Sequence, residues 1–190
     1  IAAVGARAAG RGPVGAPSIS VKLSALHPRY EFAQADRVMR ELVPRVVKLA
    51  QAAKAADISF TIDAEEANRL DLSLELFGRL AQNPNLKDWN GLGLAVQAYS
   101  KRAKPVLEWL AQVAGQSGRR IPVRLVKGAY WDTEVKRAQE QGFPSYPLFT
   151  RKVSTDVSYL ACARYLLGHR DRFYPQFATH NAHTLAAISV

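Results

Sequence analysis

Arg124 and Lys127 open the run Arg124-Leu125-Val126-Lys127-Gly128-Ala129-Tyr130-Trp131-Asp132. It starts as an apolar strand carrying two cations, then breaks at Gly128, where two aromatic residues soon follow. Burying an unpaired cation is costly, so an anion is expected at the end of this strand. Asp63, Gln97, His180 and Asn181 end other apolar runs. Together these residues suit a phosphate-bearing, aromatic cofactor. Arg124 sits mid-strand and must reach a partner; a structural ion pair with Asp63 or Glu65 is the competing reading. Gly128 permits close backbone approach by a ligand. Tyr130 and Trp131 serve as readily in packing as in cofactor contact.

Other candidates have narrower readings. In Asp63-Ala64-Glu65-Glu66, the two glutamates suit the start of the next helix, where carboxylates are favoured. Asp63 still belongs to the strand end, where pairing with Lys22 would satisfy both charges. Gln97 offers a donor and an acceptor to a heterocycle or to neighbouring backbone. Thr150-Arg151-Lys152 opens a helix, a natural anion site. His180-Asn181-Ala182-His183 has neither Cys nor acidic neighbours, so cofactor hydrogen bonding is expected there and no metal. Gly10-x-Gly12-x-x-Gly15 precedes a strand instead of following one, and reads as a loop. Cys162 reads as an inert packing residue.

These residues need a scaffold. Short apolar runs at Ile19–Ser24, Ile58–Asp63, Leu92–Gln97, Pro122–Lys127 and Gln176–His180 read as strands. Between them lie helical patterns: Val38, Leu42, Val46, Leu49 and Ala53; Leu70, Leu74, Phe77 and Leu80; Val106, Leu110 and Val113; Val153, Val157, Leu160 and Ala161. Pro44 is expected to kink the first helix. Alternating strands and helices imply a parallel sheet, here covered on both faces. Every strand ends in a chemical residue, which favours a β/α barrel over a doubly wound sheet with one switch point. The expected fold is therefore α/β, a partial (β/α)8 barrel of about five units. Residues 1–18 read as the end of a preceding helix and a linker, and 19–190 as the central part of the barrel. A Pro-rich loop from Gly142 to Pro147 could cover the barrel mouth.

The composition is that of an ordinary globular domain, with 48% hydrophobic and 22% charged residues among 190. No apolar run reaches the roughly 20 residues needed to span a bilayer. The net charge of +10 favours anionic partners. The cations are scattered, unlike the clustered face of a typical nucleic-acid binder. A basic, non-catalytic scaffold or nucleic-acid-binding module of barrel-like fold is the alternative. A single cysteine fits a reducing compartment. The chain begins at Ile1 and stops at Val190 within an apolar helical pattern, so a segment of a larger protein is expected.

Five motifs then appear in order: Lys22-Leu23-Ser24-Ala25-Leu26-His27-Pro28-Arg29-Tyr30, Asp63-Ala64-Glu65-Glu66, Gln97-Ala98-Tyr99, the Arg124–Asp132 run and Ala178-Thr179-His180-Asn181. They resemble the proline dehydrogenase domain of bacterial bifunctional proline-utilisation flavoproteins. That resemblance implies strands three to seven of a distorted barrel holding FAD noncovalently. It implies oxidation of L-proline to Δ1-pyrroline-5-carboxylate by hydride transfer to flavin N5, with electrons passed to a membrane quinone. Arg124 would lie near N5, with Asp63, Ala64 and Gln97 at or beside the flavin. Val126, Gly128, Ala129, Tyr130 and Trp131 would line the cofactor. Thr150, Arg151 and Lys152 would approach its phosphate or adenosine portion, and Thr179, His180 and Asn181 would complete the site. Lys22 and Tyr130 would border the proline pocket. The resemblance also implies a cytoplasmic enzyme peripheral to the inner membrane, fused to an aldehyde dehydrogenase module. Any nucleic-acid contact would belong to a separate domain. The family's arginine pair for the substrate carboxylate lies outside these motifs, so residues 1–190 alone are expected to bind FAD poorly and to turn over proline negligibly. Another amine substrate, such as hydroxyproline, stays open.

Overall fold

A computed structural model describes residues 1–189. Two short helical turns, α1 (Ala2–Gly5) and α2 (Gly12–Gly15), lead into β1 (Ile19–Val21). Then follow α3 (Ala35–Ala55), β2 (Phe60–Ile62), α4 (Leu70–Ala81), β3 (Leu92–Gln97), α5 (Ala103–Ser117) and β4 (Ile121–Val126). Two helices, α6 (Trp131–Glu140) and α7 (Lys152–Gly168), separate β4 from β5 (Phe173–Phe177), and α8 (Ala182–Ser189) closes the described chain.

All neighbouring strands pair in parallel, in the order β1-β2-β3-β4-β5. A doubly wound sheet reverses its order at a switch point. Strictly sequential order with a helical crossover at each step is the β/α barrel progression, so the molecule is a partial barrel as expected.

The helices form where one apolar stripe can be buried. α3 buries Val38, Leu42, Val46, Ala50 and Ala53, and continues through Pro44 as one element. α5 ends at Gly118, whose φ of +63° provides the left-handed closing residue. α7 departs from the expected face. Val153 and Val157 are 67% and 69% exposed, whereas Thr155, Tyr159, Cys162, Ala163 and Leu166 are buried. Apolar residues surround this helix, so hydrophobicity alone does not set its rotation. Tyr159 does: its ring is fully buried, and its hydroxyl donates towards the carbonyls of Leu125 (3.4 Å) and Ala178 (3.3 Å).

Strand alternation divides the sheet into two faces. Phe60, Ile62, Leu92, Leu94, Val96, Val123 and Leu125 pack under the helices. By register, Ser20, Thr61, Gly93, Ala95, Arg124 and Gln176 share the opposite, inner face. Burial on both faces holds for β2 and β3 only; β4 and β5 keep partly exposed residues. β1 stops at Val21, and Leu23–Ala25 form a 3-10 turn. β5 begins at Phe173, before its expected start, because Pro175 lies on an edge strand where a missing N–H is tolerated.

Candidate active site

The same alternation carries the inner face to the last strand residues Gln97 and Val126, and one residue past the strand ends to Lys22, Asp63 and Ala178. These five residues surround an open cleft of about 920 Å³ at the C-terminal edge of the sheet. Ala64, Arg124, Gly128, Ala129, Tyr130, Lys152, Thr179, His180 and Asn181 also line it. Trp131 and Thr150 line a neighbouring groove that meets the cleft at Lys127, Gly128 and Lys152. Arg151 lines neither; it occupies the N-cap position of α7, with no capping bond from its side chain.

Arg124 has the most informative contacts. One guanidinium nitrogen donates to Ser20 Oγ at 2.8 Å and the other pairs with Asp63. In a flat sheet β1 and β4 would lie about 14 Å apart. The Arg124 side chain reaches β1 across the hollow of a curled sheet. Asp63 therefore takes Arg124 and not Lys22 as its partner. A planar fork can reach two oxygens at once, and Lys22 makes no ion pair among the described residues.

Gln97 acts as a tie between loops. Its side-chain amide donates to the Glu65 carbonyl at 2.9 Å, and its oxygen accepts the Ala129 N–H at 3.0 Å. The competing backbone reading of Gln97 therefore describes its contacts here, and the loops after β2 and β4 are held together. Gly128 has φ +149°, and a Cβ there would stand 2.3 Å from the Tyr99 ring. The close approach that requires glycine is thus to Tyr99 beneath the cleft floor.

Lys127 (2.5 Å) and Lys152 (2.6 Å) converge on Asp156, and these hydrogen bonds hold its carboxyl below the usual range, Lys127 contributing most. Asn181 Oδ1 accepts the Thr184 N–H at 2.9 Å, capping α8, and Thr179 Oγ1 accepts the Asn181 N–H at 3.1 Å. His180 is exposed and carries no side-chain hydrogen bond among the described residues. The Trp131 indole, 42% exposed, donates to the Phe149 carbonyl at 3.2 Å. Cys162 is buried, and burial raises its thiol pKa, consistent with an inert role.

The cleft is thus lined by four cations, Lys22, Arg124, Lys127 and Lys152, and the carboxylate of Asp63, while Asp156 outside the lining pairs with Lys127 and Lys152. The family model for proline dehydrogenase matches residues 1–190. The chain belongs to the proline dehydrogenase family. It is 57% identical to the bifunctional protein PutA of Salmonella typhimurium over 188 residues, covering 99% of this chain and 14% of that protein. The Rhizobium meliloti PutA is 58% identical over 96% of the chain and 15% of its own length. A crystal structure of the Bradyrhizobium japonicum PutA mutant D779Y superposes with a TM-score of 0.96 at 55% identity, over 98% of this chain and 19% of that one. The chain thus spans about one seventh of the curated PutA proteins.

Within this proline dehydrogenase fold, Ala95, Phe177 and Ala178 also line the cleft; Ala178 had entered only as part of a family motif, and none of the three was expected at the site. Strand alternation was the available signal for Ala95 and Ala178, two residues from Gln97 and Gln176. Phe177 had none, since its place follows from the exposed edge of β5.

Proposed function

We propose that this chain is the FAD-binding part of an enzyme that oxidises L-proline to Δ1-pyrroline-5-carboxylate. The observation that carries the reading is the cation excess around the cleft, four against two carboxylates. It suits a cofactor with an anionic pyrophosphate. The cleft volume, about 920 Å³, lies within the range of about 300–1,000 Å³ usual for cofactor sites. Lys152, with Thr150 and Arg151 at the start of α7, would hold the phosphate or adenosine portion. Asp63, Ala64, Gln97, Val126, Gly128, Ala129, Tyr130 and Trp131 would shape the site, and Thr179, His180 and Asn181 would close its far side.

When bound, FAD supplies the ring that accepts a hydride from the substrate. Arg124, fixed by Ser20 and Asp63, supplies a preorganised positive charge where negative charge develops. Lys22 and Tyr130 border the proline subsite, where the unpaired Lys22 ammonium favours a carboxylate. We assign the electrons to a membrane quinone reached by peripheral association from the cytoplasm. We also assign a fused aldehyde dehydrogenase module, in keeping with the bifunctional relatives. No helix among the described residues is long and apolar enough to cross a membrane.

The test is anaerobic spectroscopy of the full-length protein. An oxidised flavin band bleached by L-proline is expected. A colourless protein that binds DNA in a salt-sensitive way would sink the reading.

A further inference from the structure

The cleft and its neighbouring groove meet at a neck. Lys127, Gly128 and Lys152 line both spaces. The cleft holds about 920 Å³ and the groove about 290 Å³. A dinucleotide laid with its ring system in the cleft and its far end in the groove would carry its pyrophosphate through this neck. Two ammonium groups stand there.

The group that holds them is Asp156, which lines neither space. It lies on α7, one turn after Lys152. Lys127 Nζ donates to its Oδ1 at 2.5 Å, and Lys152 Nζ donates to its Oδ2 at 2.6 Å. Each carboxylate oxygen thus takes one ammonium, and one planar group ties both lysines. Among the described residues neither ammonium makes another hydrogen bond. An ammonium carries three donors, so each keeps two for a ligand. Lys127 Nζ has a second anchor, the buried Tyr159 ring, whose centre lies 5.9 Å away. Lys152 has none: its side chain is 76% exposed, and without Asp156 it would sample many rotamers. Ordering such a side chain is a recurring cost of binding.

We propose that Asp156 is a positioning residue that holds Lys127 and Lys152 as a preformed pair for the cofactor pyrophosphate. The inference rests on the FAD reading and deepens it. It brings Lys127 into the cofactor site and gives Asp156 a part in binding without touching the ligand. Two effects of opposite sign meet at this carboxylate. Its charge repels a phosphate, while its two hydrogen bonds order the lysines before the phosphate arrives. Repulsion is the weaker effect, because two cations already match the carboxylate and its one-third exposure admits screening solvent.

The test is calorimetric titration of FAD into the flavin-stripped full-length protein, well below the unfolding temperature of every variant. Asp156→Asn should weaken FAD binding about fivefold, because the lysines must then be ordered on binding. In a Lys152→Met background most of that loss should vanish, since the side chain that depends most on Asp156 is gone. Equal or tighter binding by Asp156→Asn alone overturns the proposal, because repulsion then wins. A loss of the same size in both backgrounds also overturns it, because Asp156 then acts through the fold and not through Lys152. A wild-type protein that takes up no FAD overturns the FAD reading and this inference together. FAD uptake without bleaching by L-proline overturns the substrate assignment alone, and the titration still decides the role of Asp156.

Discussion

Arg124 combines two readings that the sequence had set apart. It makes the structural ion pair with Asp63, and it still faces the cleft. The pair fixes its position; the cleft leaves its field available. Arg124→Met in the full-length protein should slow flavin reduction by proline about 100-fold with the fold intact. Anaerobic stopped-flow absorbance measures this, and unchanged kinetics would remove Arg124 from the flavin edge. Gly128 is constrained twice, by its positive φ and by the Tyr99 ring. Gly128→Ala should destabilise by about 1–3 kcal/mol from backbone strain alone, and the clash adds to that. Thermal unfolding and the flavin-to-protein ratio of the purified variant read the effect; wild-type values for both would refute it.

At the scale of elements, α7 shows how a helix can be legible and its rotation not. Its apolar residues surround the axis, and Tyr159 selects the buried face. That rotation places Asp156 between Lys127 of the β4 end and Lys152 of its own first turn. Because the folded state lowers the Asp156 pKa, its stabilising contribution is present above the unfolded value, about 3.9. It is lost as pH falls through the folded value. Asp156→Asn should therefore lower Tm near neutral pH, and the gap to wild type should shrink as the solution is acidified below about pH 4. A gap that stays constant across that range would assign the effect to something other than the ion pairs. The carboxylate is one-third exposed, so solvent screening keeps the effect modest.

For the whole molecule, the decisive ties run between units distant in sequence. Gln97 bridges the loops after β2 and β4, and Arg124 reaches from β4 to β1. Gln97→Met preserves bulk but leaves the Glu65 carbonyl and the Ala129 N–H without their partner. Both bonds are only partly buried, so a loss of about 0.5–1.5 kcal/mol per hydrogen bond is expected, with weaker flavin retention. Calorimetry and a flavin titration check it, and unaltered values for both would show that the loops hold without the tie.

The amino-acid sequence by itself determined the alternation of strand and helix, the barrel class and most of the cleft lining. Hydrophobic periodicity and residue type at strand ends are local properties, and they sufficed for Lys22, Asp63, Gln97, Arg124 and Asn181. The family motifs added the proline dehydrogenase expectation, which the family match supports. Partner choice came only with the tertiary structure: Asp63 with Arg124, Lys127 and Lys152 with Asp156, Gln97 with two backbone groups, Tyr99 beneath Gly128. The physical reason is that each partner lies on another strand, helix or loop. Which charges and rings meet depends on how far the sheet curls and how each helix rotates, and no local pattern encodes either.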